Sequence, residues 1–313
     1  MSIFLAVCLI LFGAVNLYVF RWLKPAFVWG RGASLSFALF VVLMFSLSIL
    51  THVLARHDHA VLARIAGIAG YLWMLVVMWL ASFGLLAEAW NALVAVAARV
   101  RPAVAAAHLS PARFVTWMGL VAAILSLWGL IEVNSLHLES IPIATSKMPP
   151  GTPPLRILQV SDLHLMPATG RREVDRILRL AREVKPDLVV CTGDTFESAD
   201  PCMEQVAARL DLLRPPLGKL AILGNHEYYV GIPRSLELLQ ASGFRVLRDM
   251  MVRYTWSDAG IAVVGTDDPA AAMTRSRCRT DEASLLSVTS RQDFTLLLKH
   301  LPVVNATAAK RFD

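Results

Sequence analysis

Apolar positions follow two different rhythms along this chain, and the change comes near residue 135. Before it, four long stretches are apolar on every side: residues 3–20, 35–53, 65–87 and 114–131. At about 1.5 Å per helical residue the first is roughly 27 Å long, close to the thickness of a bilayer core. The pattern therefore predicts four membrane helices within residues 1–134. The first stretch has neither a basic start nor a small-residue cleavage site, which marks it as a retained span and not a leader peptide. Trp22, Trp29, Trp90 and Trp117 fall near helix ends, where indole rings either sit at the headgroup level or pack between helices. Residues 88–111 are Ala-rich with Arg99 and Arg101 and fit either an extension of the third helix or a surface segment.

Beyond residue 135 the runs shorten. Residues 135–145 alternate loosely and predict an edge strand opening a second domain, residues 135–313. Pro149, Pro150, Pro153 and Pro154 then impose an extended connector, since proline neither continues a helix nor donates to a central ladder. Strand-like 155–160, helix-like 171–184, strand-like 187–192, helix-like 203–213, strand-like 219–223 and helix-like 234–241 follow in series, the signature of an α/β domain. Short strands are predicted over 244–247, 252–256, 261–264 and 294–298, with a polar, Arg-rich stretch over 270–292 and a helix over 304–311.

Composition sharpens this division. The chain is 56% hydrophobic with mean hydropathy +0.55, too apolar for an ordinary soluble protein. Its net charge of +6 is uneven: residues 1–134 carry 8 Lys/Arg against 3 Asp/Glu, residues 135–313 carry 22 against 21. The excess flanks hydrophobic segments, so it is no nucleic-acid footprint. Arg21, Lys24 and Arg31 follow the first helix and Arg99, Arg101 and Arg113 the third, against Arg56, Arg64 and Lys147 on the other side. Six against three places the first and third loops in the cytoplasm and the C-terminal domain on the outward face of the membrane. Cys8, Cys191, Cys202 and Cys278 are scattered without metal or disulfide spacing, and Cys8 and Cys191 read as small buried thiols. His57, Asp58 and His59 form a His-x-His loop that reads as solvated, no further ligand being near.

The chemistry gathers at strand ends. The first strand ends in Ser161, Asp162, Leu163 and His164, the second in Gly193 and Asp194, the third in Gly224, Asn225, His226 and Glu227, and a later one in His300. Open α/β sheets place ligands at these carboxyl ends. On an extended chain, residues two apart point the same way, so Asp162 and His164 can reach one ion. Carboxylates, imidazoles and an amide oxygen at one sheet edge suit a divalent cation such as Mn, Fe, Zn or Mg. Gly193 and Gly224 allow sharp turns and close backbone approach.

In this order the motifs Ser161-Asp162-Leu163-His164, Thr192-Gly193-Asp194, Leu223-Gly224-Asn225-His226-Glu227 and His300 resemble the calcineurin-like metallophosphoesterases, in particular their membrane-anchored bacterial branch. The resemblance covers residues 135–313, and the turn Gly265-Thr266-Asp267-Asp268-Pro269 is similar to one in that branch. It implies a β-sandwich flanked by helices, preceded here by the four-span membrane domain. It further implies two divalent metal ions, with Asp162 and His164 on the first, Asp194 bridging both, Asn225 and His300 on the second, and His226 acting on the phosphate as catalytic residue. Glu197 stands where the family often has aspartate. The family pattern closes with Gly-His-x-His, which this sequence lacks, so the resemblance implies truncation before the final strands and one ligand fewer on each metal. The expected activity is hydrolysis of a phosphomonoester, phosphodiester or pyrophosphate, the substrate being an envelope or lipid-linked one. A degenerate phosphoesterase domain serving as a binding module, or a transporter or sensor built on the helices, are the alternatives; few charges inside the spans disfavour transport.

Overall fold

The computed structural model describes residues 2–26, 30–57, 59–132, 135–167, 169–274, 282–303 and 305–313, so Trp29, Asp58, Cys278 and Val304 lie outside it. It comprises two compact units, Met1–His137 and Leu138–Asp313.

The first unit holds α1 (Ser2–Leu23), α2 (Arg31–Arg56), α3 (Ala60–Ala98) and α4 (Pro111–Glu132). Among the described residues three helices are long and apolar enough to cross a membrane, Gly32–Thr51, Val61–Ala98 and Pro111–Glu132, and Ile10–Leu23 is a shorter apolar one. Leu17, Leu39, Leu86 and Trp128 are exposed on them, the surface of a protein solvated by lipid, and associate the chain with a membrane. Small residues bring α2 and α3 together: Ala63 is buried and its carbonyl accepts from Thr51 Oγ1 at 2.8 Å, satisfying a buried hydroxyl between the helices. The Ala-rich segment does both things its sequence allowed. It extends α3 to Ala98, then turns into a 3-10 helix, Pro102–Ala107. Asn91 pins the return by pairing with both the N–H (2.8 Å) and the carbonyl (3.0 Å) of Leu109.

In the second unit, β1 (Ile157–Val160), α5 (Gly170–Val184), β2 (Leu188–Cys191), α6 (Met203–Leu210), β3 (Lys219–Ala221), α7 (Asn225–Val230), α8 (Ile232–Ala241) and β4 (Phe244–Val246) form a parallel sheet in the order β1-β2-β3-β4. Then β5 (Met250–Trp256), β6 (Ala259–Gly265), α9 (Glu282–Ser287) and β7 (Phe294–Leu298) contribute a second sheet, β5-β6-β7, antiparallel in its first pair and parallel in its second.

Side-chain alternation along β2 explains the layering. Val189 and Cys191 face a core with Val174 and Leu178 of α5, Val206 and Leu210 of α6, and Leu238 of α8. Leu188 and Val190 face the opposite way, against Ile261, Val263, Phe294 and Leu298 of the second sheet. A strand buried on both faces must be apolar throughout, and Leu-Val-Val-Cys is. Helix α5 buries Val174, Ile177, Leu178 and Ala181, the i, i+3, i+4, i+7 stripe of an amphipathic helix. It stops where Lys185 turns left-handed (φ 52°) ahead of Pro186. Register matters most for function. Val160 pairs with Cys191, and Cys191 with Ala221, so the loops after β1, β2 and β3 leave from one edge.

Three expectations need correction. Residues 135–145 form no strand; Pro142 interrupts the alternation, removing a ladder donor, and Leu138, Ile141 and Ile143 remain exposed. The helix over 304–311 reduces, among the described residues, to one 3-10 turn, Ala308–Lys310. Helix α7 occupies residues read as a loop after a strand, because the polar Asn225-His226-Glu227 opening hides its start.

Candidate metal centre

The loops after β1 and β2 run side by side and hold each other in register. Asp162 N–H donates to Gly193 O (3.1 Å), His164 N–H to Asp194 O (3.0 Å) and Leu165 N–H to Thr195 O (2.9 Å). Asp162, His164 and Asp194 adopt left-handed backbones, with φ of 51°, 40° and 54°. Non-glycine residues pay strain there, of order 1 kcal/mol or more each, and such strain clusters at functional sites. Two tight bends, and not the extended geometry expected of them, aim these side chains, and they join different clusters, Asp162 with Asp194 and His300, and His164 with Glu197 and His226.

Two glycines make room for this. A Cβ on Gly193, whose φ is 102°, would stand 2.6 Å from Gly224 N and 2.9 Å from His300 Nδ1; one on Gly224 would run into the Asp194 carboxylate. Underneath lies Glu227, fully buried. Its carboxylate accepts N–H bonds from Asp194 (2.9 Å), Thr195 (2.7 Å) and Gly224 (2.8 Å), clamping the second loop to the third. Three donors on one carboxylate offset the cost of burying its charge. The sequence did carry a signal for it: Glu227 lies three residues after Gly224, where a first-turn glutamate reaches back to the cap N–H.

Six residues singled out in the sequence meet around Asp194. Its Oδ1 accepts from His226 N–H at 2.9 Å. Its Oδ2 lies 3.5 Å from His300 Nε2, 3.7 Å from His164 Nε2 and 4.0 Å from His226 Nε2. Asp162, Asp194 and His300 bring ligand atoms within 4.8 Å of one another, and His164, Glu197 and His226 do the same. His300 Nε2 is also 3.2 Å from Asn225 Oδ1.

Tautomers follow from the partners. A carbonyl oxygen only accepts, so His300 Nδ1, 2.9 Å from Thr192 O, carries its proton. Glu197 Oε2 takes Nδ1 of His164 at 2.7 Å and of His226 at 2.9 Å, so those nitrogens are protonated too. Three imidazoles thereby point Nε2 lone pairs at a carboxylate oxygen that itself has only lone pairs. Acceptors facing acceptors repel unless a cation lies among them, and outward Nδ1–H donation to a carboxylate or carbonyl is how metal-binding histidines are oriented. The donor set of imidazole, carboxylate and amide oxygen fits Mn, Fe, Zn or Mg. Burial works against a charged His164, but the Glu197 hydrogen bond and the charges of Glu197, Asp194 and Asp162 outweigh it, raising its pKa above the ordinary histidine value. The same negative field favours any cation.

Glu197, expected in a supporting role, is thus the shared anchor of two rings. The Gly265–Pro269 turn is a buttress: Asp267 takes a bidentate bond from Arg248, whose Nη2 is 3.4 Å from Tyr228 Oη on α7. Cys191 is buried in β2, and that burial pushes its thiol up to about 11, leaving it inert. His57 and His59 are exposed, and neither joins a ligand cluster among the described residues.

A two-sheet α/β layer structure that collects imidazoles and carboxylates at its parallel strand ends is the framework of a metal-dependent hydrolase. Residues 155–304 match the family model for calcineurin-like phosphoesterases. The chain is 37% identical to an uncharacterized metallophosphoesterase of Aquifex aeolicus over 193 residues, 62% of this chain and 72% of the relative. It is 30% identical to a transmembrane protein with metallophosphoesterase domain of Danio rerio, over 50% of this chain and 37% of that one. A shorter match, 37% over 26% of this chain and 25% of the relative, is to a UDP-2,3-diacylglucosamine pyrophosphatase of Chlamydia trachomatis. This chain belongs to the calcineurin-like metallophosphoesterases, a class of hydrolases.

Proposed function

We propose that the protein is a membrane-anchored phosphoesterase working through two divalent metal ions, and that it hydrolyses a phosphomonoester, phosphodiester or pyrophosphate. The observation that carries this reading is the convergence of three Nε2 lone pairs and Asn225 Oδ1 on Asp194 and its surroundings. Asp162 and His164 would hold one ion, Asn225 and His300 the other, and Asp194 would contribute to both. When bound, such a pair neutralises phosphoryl oxygens and lowers the pKa of water toward neutrality.

The chain's own contribution is positional and protonic. Glu197 holds the proton on His226 Nδ1 and turns Nε2 inward. With a second proton taken up at Nε2, the imidazolium, stabilised by Glu197, donates that proton to a phosphoryl oxygen or to the leaving oxygen and returns to the Nδ1–H tautomer. The rigid frame of Glu227, Gly193 and Gly224 keeps these groups in place without reorganisation.

The substrate reading rests on the anchor and on the name of the Chlamydia relative, and is an envelope or lipid-linked phosphoester. Four spans, α1 to α4, in the inner membrane, with the first and third loops cytoplasmic, set the catalytic domain on the periplasmic face. A reporter fused at Asp313 that is active only in the cytoplasm overturns that placement. For the chemistry, the purified full chain with Mn should hydrolyse a chromogenic phosphodiester, lose this to a chelator and regain it on adding metal. Asp194→Asn should abolish turnover. Undiminished turnover in that variant overturns the assignment.

A further inference from the structure

Beside the centre stands one side chain that neither the metals nor the frame require. Tyr229 is 66% exposed, and its ring meets that of His226 at 5.3 Å between centroids and 71° between planes. Residues three apart share a helix face, so α7 presents His226 and Tyr229 together. Both neighbours in sequence have a use elsewhere: Tyr228 is buried against Arg248, and Val230 closes the helix ahead of Gly231. A large ring left two-thirds in solvent contributes little to folding, because burial and not exposure returns the hydrophobic gain.

We propose that Tyr229 is a specificity-determining residue whose ring receives a flat ring on the leaving group of the substrate. This rests on the phosphoesterase reading, and on His226 facing the leaving oxygen. If His226 protonates that oxygen, the group attached to it departs past the ring that His226 touches. A tyrosine face packs well on an aromatic ring by offset stacking, a preference worth about tenfold in affinity, and a saturated alkyl chain gains less of it.

The test compares phenyl phosphate with butyl phosphate by phosphate release, using the full chain in detergent with Mn. In Tyr229→Leu, KM for phenyl phosphate should rise about tenfold while KM for butyl phosphate and both kcat values stay within about twofold. Tyr229→Phe should match the wild type on both, since the ring and not the hydroxyl is used. Equal KM changes for the two esters, no change for either, or a Phe variant as impaired as Leu each overturn the proposal. If the wild type hydrolyses neither ester, nor the chromogenic phosphodiester, nor an organic pyrophosphate with any of the four metals, the phosphoesterase reading fails on its own. Ring recognition is then read from equilibrium binding of phenylphosphonate and butylphosphonate to the Mn-treated chain. A phenyl preference lost in Tyr229→Leu supports it, and equal binding of the two phosphonates overturns it.

Discussion

The rings of His164 and His226 stand edge to face, 4.6 Å between centroids and 83° between planes, because both give their Nδ1–H to one carboxylate oxygen of Glu197. Two histidines, one from the loop after β1 and one from α7, are thereby oriented by a half-buried third residue. Glu197 itself is fixed by the strand-like bridge between Leu165 and Phe196 and by its N–H, which donates to Leu165 O at 3.1 Å. The loop after β1 thus positions the anchor for its own histidine.

Replacing Glu197 by Gln should therefore loosen both rings at once. An amide oxygen standing where Oε2 stands still accepts both Nδ1–H groups, but without the carboxylate's charge both bonds weaken. Losing such an outer partner costs about 10- to 100-fold in metal affinity or activity. Titrating Mn into the Glu197→Gln chain while following phosphodiester hydrolysis measures both, and a variant with wild-type metal dependence contradicts the tautomers assigned here.

Glu227 makes a different prediction, one of stability. Its three N–H partners belong to Asp194, Thr195 and Gly224, and a buried donor left unpaired costs about 1–3 kcal/mol. Glu227→Ala should destabilise the chain by several such increments, and Glu227→Gln by fewer, since its amide oxygen still accepts. Thermal unfolding in detergent, followed by near-ultraviolet signals, should rank the chains wild type, Gln, Ala. Any rank placing Ala above Gln removes the clamp from the account.

Gly193→Ala should cost more than a backbone effect alone. The φ of 102° is strained for alanine, and its Cβ would also strike Gly224 and His300. Gly151 has a φ of 83° but open space around its Cβ, so Gly151→Ala isolates the strain, about 1 kcal/mol or more. Gly193→Ala should exceed Gly151→Ala in loss of stability and should also lose metal binding. Equal effects would mean that the close approach of the two loops is unimportant.

Much of this centre was legible in the sequence because strand ends announce themselves. An apolar run that stops at Asp162 or Asp194 states both the element and the edge where the side chain emerges. What stayed hidden depends on contacts between loops. Nothing in the pattern of Asp-x-His shows that Asp162 and His164 take left-handed backbones, since that conformation is imposed by Gly193 and Asp194 carbonyls thirty residues away. Glu197 looked like a conservative stand-in, and only the meeting of two loops makes it the anchor of two rings. Residues 135–145 misled in the other direction: alternation alone makes no strand without a partner edge, and Pro142 withholds one of the donors such an edge needs.

Lys219 gives the pH dependence. It lies on β3, buried, with Nζ donating to the carbonyls of Leu210 and Ser242 and 3.7 Å from Asp211. Burial lowers its pKa to about 8, and Asp211 only partly opposes the shift. An unfolded chain returns it to the ordinary lysine value near 10.4. Between these values the unfolded chain holds a proton that the folded one does not, so stability should rise with pH across that window. The contribution is complete above the unfolded value and lost as pH falls through about 8, where the buried ammonium must be kept charged. In Lys219→Met the two carbonyls lose a donor, a penalty that does not vary with pH, so the slope and not the level carries the information. Chemical unfolding of both chains at several pH values from about 8 to about 10.5 should show a positive slope in the wild type that is flatter in Lys219→Met. Parallel slopes would show that Lys219 keeps its proton throughout, held by Asp211 and the two carbonyls against the cost of burial.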